Sequence, residues 1–93
     1  IDSGISGDVA LKMGNILRNL SNEHQVVTIT HSPQVASKAD RHYFVFKVDK
    51  PDRTITNVRL LSDDDRVRAI AVMLSQSPPS ESALVNAREL LGM

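Results

Sequence analysis

Residues 25–34 read Gln-Val-Val-Thr-Ile-Thr-His-Ser-Pro-Gln, and this stretch decides the fold. "QVVTIT" is a compact, uncharged, β-branched run, the composition of a strand buried on both faces. It ends at His31. Ser32 then offers an N-cap side chain and Pro33 a fixed φ at the first helical position, so a short helix is expected to about Ala39. A buried strand passing directly into a helix belongs to an α/β architecture. In open sheets of that class, ligands sit at the carboxyl ends of strands, which is where His31 falls. A neutral imidazole there can hydrogen-bond a phosphate or a water. The competing reading is a His that only fills a turn.

Upstream, Val9, Met13, Ile16, Leu17 and Leu20 recur at helical spacing, predicting a helix from Asp8 to Leu20 with that face inward. Ser6 is placed to cap it and Asp8 to offset its dipole. "SNEH" ends the pattern. Downstream, "RHYFVFKV" alternates, with Tyr43, Val45 and Lys47 on one side and His42, Phe44, Phe46 and Val48 on the other. "DKPDR" has turn chemistry, with Pro51 suited to the second turn position. "TITNVRLL" returns, so residues 41–61 read as a β-hairpin. Residues 62–93 read as the C-terminal helices. Ser62 caps the first, and Asp65 stands where a capping box wants Glu. Val67, Ile70, Ala71 and Leu74 make its apolar stripe. After the "SQSPPS" loop, Ser80 or Ser82 caps the last helix, with Leu84, Ala87, Leu90 and Leu91 inward and Gly92 just past its end.

The order is loop–α–β–α–β–β–α–α, with about four helices. A single buried parallel-type strand needs neighbours on both edges, and this chain does not supply them. The chain also opens at Ile1 without Met, inside a small-residue loop. The expectation is one unit, residues 1–93, forming the C-terminal piece of a larger α/β domain.

Composition narrows the chemistry. The 93 residues include 11 basic and 11 acidic side chains, for a formal net charge of +0. A protein whose main contact is a nucleic-acid backbone needs a basic surplus. With aromatics at 3%, base-stacking platforms are not expected. There is no Cys, hence no disulfide and no thiolate metal site. No apolar run approaches the roughly 20 residues that span a bilayer, so no membrane partner is expected and the cytoplasm is the default location. His24, His31 and His42 lack a close-spaced ligand pattern, so no metal site is expected. Asp63, Asp64 and Asp65 read as acids at a helix N-terminus. Neither a Gly-x-Ser-x-Gly elbow nor a Gly-x-x-x-x-Gly-Lys-Ser/Thr loop is present.

Two motifs remain, "IDSGISG" at residues 1–7 and "THSPQVA" at residues 30–36. Small residues let a backbone approach another surface closely, and exposed amides can face an anion. Together, and continued through "RTITNVRLLSDDDRVRAIAVMLS" to "SALVNARELL", they resemble the C-terminal end of the RecN family of bacterial DNA repair proteins. These are SMC-like ATPases of the ABC class with a P-loop head. The resemblance covers essentially the whole chain, and the pair of motifs is more specific than either alone.

The resemblance implies that Asp2, Ser3, Gly4, Ile5 and Ser6 form the D-loop, which crosses a head homodimer toward the partner's nucleotide. Where the usual ABC pattern closes this loop with Asp, this chain has Ser6. It implies that His31 is the switch histidine of the H-loop, facing the ATP γ-phosphate and the attacking water. It implies ATP and Mg2+ as the cofactors of the full-length protein, with Walker A, Walker B and the signature motif supplied by the remainder of the head. It implies DNA as a partner of the full-length protein, in double-strand-break repair and recombination near the nucleoid. This chain alone is expected to hold neither ATP nor Mg2+ tightly and to be inactive. The alternative from a different class is a self-standing α/β interaction module, in which "SGISG" is a turn and His31 a cap.

Overall fold

Three serines set the helix starts of this computed structural model, which describes residues 7–93. Ser32, Ser62 and Ser80 each hold an extended backbone, and each Oγ accepts from the N–H three residues on, at 3.4, 3.2 and 3.2 Å. Each satisfies one of the donors that a helix N-terminus leaves open. The elements are α1 (Gly7–Leu20), α2 (Pro33–Ala36), β1 (Tyr43–Asp49), β2 (Thr54–Leu60), α3 (Asp63–Leu74) and α4 (Glu81–Leu91). Gly92 ends α4 at φ 75, in the left-handed region, so its N–H turns back to the Arg88 and Glu89 carbonyls.

The core lies between α3 and α4, closed at one side by α2. Val67, Ile70 and Ala71 pack against Ala83, Ala87 and Ala36, with Leu74, Leu84, Leu90 and Leu91 around them. Both predicted inward stripes are therefore the ones buried or partly buried. Ile70 is the largest fully buried side chain among the described residues.

β1 and β2 form a two-stranded antiparallel sheet with Tyr43 opposite Leu60 and Asp49 opposite Thr54. Lys50 N–H donates to the Arg53 carbonyl at 2.7 Å, which puts Pro51 at the second position of the connecting turn. The hairpin's backbone stays clear of every described helix, and the Arg59–Asp65 ion pair at 3.2 Å ties it to α3. Tyr43, Val45, Val58 and Leu60 share one face and all are exposed.

Two expectations are corrected. Residues 25–30 carry no regular secondary structure, belong to no sheet, and are not buried: Val27 is 85% and Ile29 91% exposed. The β-branched run has the composition of a strand, but a ladder needs a second strand, and the hairpin pairs only with itself. No parallel sheet forms among the described residues. Helix α1 is where the periodicity put it, but it buries a different face. Ala10 and Gly14 are covered, whereas Val9, Ile16 and Leu20 face solvent. The reason is close approach: a Cβ on Gly14 would lie 3.1 Å from the Gln34 carbonyl oxygen and 3.4 Å from Val35 Cα. The small-residue side of α1 is the one that lets α2 come near.

The uncovered apolar surface shows in the totals. The chain exposes 6850 Å², against about 5300 Å² for a compact monomer of this mass. Its radius of gyration is 14.4 Å, against about 12 Å for a compact chain of this length.

Candidate functional site

His31 is exposed and lies between the β-branched run and α2. Its neighbours hold that loop locally. Ser32 N–H donates to Thr30 Oγ1 at 3.0 Å, and Ser32 Oγ donates to Gln34 Oε1 at 3.1 Å while capping α2. The histidine is thus on the N-terminal side of a capped helix, as the Ser-Pro signal requires.

The other end of α2 and the turn after it are held by side chains from α1, from α3 and from the residue before β1. Arg18, in the last turn of α1, donates from Nη1 to the Lys38 carbonyl at 2.8 Å. Arg66, in α3, donates from Nη2 to the Ala39 carbonyl at 2.8 Å. His42, one residue before β1, donates from its Nε2–H to the Ala36 carbonyl. Only Ala36 belongs to α2; the Lys38 and Ala39 carbonyls lie two and three residues past its end, where the negative helix terminus suits cationic donors. Ser37, itself buried, adds a bond from Oγ to the Gln34 carbonyl at 3.0 Å.

Burial lowers the pKa of His42 below its ordinary value. The bond to Ala36 opposes that shift, and the nearby Arg66 charge adds to it. A neutral ring still donates through Nε2–H, so the bond survives deprotonation. Arg66 is largely covered, with Asp63 at 3.7 Å from Nη1, and its Nε is buried without a hydrogen-bond partner among the described residues.

The other candidates fall as follows. Asp2, Ser3, Gly4, Ile5 and Ser6, expected as the D-loop, and Ser6 as the α1 cap, lie outside the described residues. Asp63, Asp64 and Asp65 occupy the first turn of α3. Among the described residues no group of three or more His, Asp or Glu side chains could hold a metal ion. His24 lines an open groove of 280 Å³ with Ile16, Asn19, Leu20 and Glu23, which does not include His31. No described helix is long and apolar enough to cross a membrane. Sequence reasoning missed Arg18, His42 and Arg66 because they act through backbone carbonyls, which leave no motif. Gly14 did leave a signal, since a glycine inside a helical pattern costs about 1 kcal/mol against Ala and so asks for a packing reason.

These features define an α/β segment with a loop histidine between a β-branched run and a short helix. Over 91 residues the chain is 44% identical to the DNA repair protein RecN of Deinococcus radiodurans, 41% to that of Vibrio cholerae and 40% to that of Streptomyces coelicolor. Each comparison covers 98% of this chain and 16% of the relative. Its sequence is RecN-like across essentially its whole length. No protein-family model matches the chain. It spans about 16% of the length of the curated relatives it matches.

Proposed function

We propose that this chain is the C-terminal part of a RecN-like ATPase head that works in DNA double-strand-break repair and recombination in the bacterial cytoplasm. In this reading His31 is the switch histidine and Asp2 to Ser6 are the D-loop of a head homodimer. The observation that carries it is the likeness to RecN proteins over 98% of the chain, with His31 on a loop at a helix start.

The residues present suit part of this task. Phosphoryl transfer relies on positioning and charge stabilisation. The His31 ring is exposed, and an imidazole can hydrogen-bond a γ-phosphate oxygen or the attacking water. When bound, Mg2+ supplies neutralisation of phosphate charge, and it is held by groups outside this chain. The chain itself has no Lys-bearing P-loop to grip ATP.

The uncovered surfaces support a partner within the same polypeptide. Val27, Ile29, Val9, Ile16, Leu20, Tyr43 and Val45 are exposed apolar side chains. A self-standing module would leave that area wet, which disfavours the interaction-module reading. The excess of roughly 1500 Å² over a compact monomer is of the size that permanent interfaces bury on one side. The remainder of the head is the proposed cover. Full-length protein lacking the His31 ring tests the reading, with ATP turnover as the readout.

A further inference from the structure

The short helix that follows His31 cannot fix its own direction. Helix α2 has 4 residues, and a single turn fixes many dihedrals for few hydrogen bonds. Its axis is set from outside. On one side α1 lies against it, admitted by Gly14, where a Cβ would stand 3.1 Å from the Gln34 carbonyl oxygen. On the other, α3 and α4 hold Ala36 in the core. In the turn just past its far end, Arg18 and Arg66 grip the Lys38 and Ala39 carbonyls, each at 2.8 Å.

We propose that Arg66, assisted by Arg18, is a positioning residue for His31, acting through the Ala39 and Lys38 carbonyls to set the direction of α2. This rests on the reading of His31 given above. Arg66 makes its contacts with the Ala39 carbonyl and with Asp63. Its effect passes along α2, whose length is about 6 Å at helical rise, to the Ser32 cap and the adjoining histidine. Rotation of so short a helix displaces the residue at its tip. A misplacement near 1 Å can reduce catalysis about 10²-fold without a change in ground-state binding. A guanidinium suits the task better than an ammonium, because its planar fork holds the Ala39 carbonyl and faces Asp63 together.

The test uses full-length RecN-type protein carrying this segment. Arg66→Met, Arg66→Lys and Arg18→Met are compared with the parent for ATP turnover, ATP affinity and amide exchange over residues 32–39. Arg66→Met is expected to lower turnover about 10-fold or more while ATP affinity stays within about twofold. Arg66→Lys recovers part of the loss. Placed on a His31→Ala background, Arg66→Met causes no further loss, because the two act on one step. Unchanged turnover, or an undiminished second loss on that background, overturns the proposal. If His31→Ala alone leaves turnover intact, the switch-histidine reading fails by itself. The seating of α2 is then judged by exchange: faster exchange at Val35 to Ala39 in both arginine variants upholds it, and unchanged exchange overturns it.

Discussion

Arg66 reaches from α3 to the carbonyl oxygen of Ala39, with Nη2 at 2.8 Å, and so joins the C-terminal helix pair to the turn that leaves α2. The guanidinium is largely covered, which makes the bond worth more than a surface ion pair. Its neighbour at the same joint is the His42 ring on the Ala36 carbonyl. Arg18 of α1 bonds the Lys38 carbonyl, one residue from Ala39.

The half-buried His42 gives the joint a pH dependence. Burial lowers its folded-state pKa from the ordinary 6.5. Below pH 6.5 the unfolded chain takes up a proton that the folded chain resists, so stability falls as pH drops from about 6.5 toward the lowered folded value. Above pH 6.5 the ring is neutral in both states and this effect is absent. The urea midpoint is expected to be lower at pH 5.5 than at pH 7.5. His42→Gln should shrink that difference, and an equal difference in the variant would count against the assignment.

Gly14→Ala separates helix propensity from packing. In an exposed helix interior the change stabilises by roughly 0.5–1 kcal/mol. Here the new Cβ meets Lys38 Cγ at 2.9 Å, the Gln34 carbonyl oxygen at 3.1 Å and Val35 Cα at 3.4 Å. The lysine can move, but the backbone of α2 yields only by leaving its seat. The variant is expected to be destabilised by about 1 kcal/mol in chemical denaturation, within the range of overpacked sites. A gain in stability would show that the α1–α2 contact is loose.

Ile70→Ala probes the core between α3 and α4. The side chain is fully buried, and such truncations cost about 2–5 kcal/mol. In a chain with this few large buried residues the loss should melt the helix pair, read by circular dichroism. A change below about 1 kcal/mol would mean that the pair is held elsewhere.

Much of this arrangement is legible in the chain because its signals are local. Ser32-Pro33, Ser62, Ser80 and Gly92 mark helix ends through bonds made within four residues, and all mark them as observed. The hairpin is equally local. What fails is whatever depends on a distant neighbour. The run from Gln25 to Thr30 has strand composition, but composition cannot supply the adjoining strand, so Val27 and Ile29 stay exposed. The α1 periodicity finds the helix but not its covered side, since Gly14 wins the contact by being small rather than apolar. His31 was visible at its loop, whereas Arg18, His42 and Arg66 meet only after folding.

The uncovered run also predicts behaviour in solution. The 93-residue chain is expected to self-associate through residues 25–30, because an uncharged β-branched edge templates pairing. Light scattering over a range of concentrations should show mass rising with concentration, and Val27→Lys with Ile29→Lys should suppress it. A clean monomer at high concentration, with the amides of residues 25–30 protected from exchange, would mean that the chain closes its own edge.

The isolated chain is expected not to hydrolyse ATP, as it carries no P-loop lysine. Titration with labelled ATP and Mg2+ checks this, and micromolar binding would speak against the division of labour proposed for the head.

The most direct measurement is ATP turnover by full-length RecN-type protein carrying His31→Ala, taken with ATP affinity and a melting curve. The account predicts that turnover falls on the order of 10²-fold, as for a positioned acid–base or hydrogen-bonding group, while affinity and melting temperature hold. Unchanged turnover with a large drop in melting temperature would make His31 a structural residue and contradict the account.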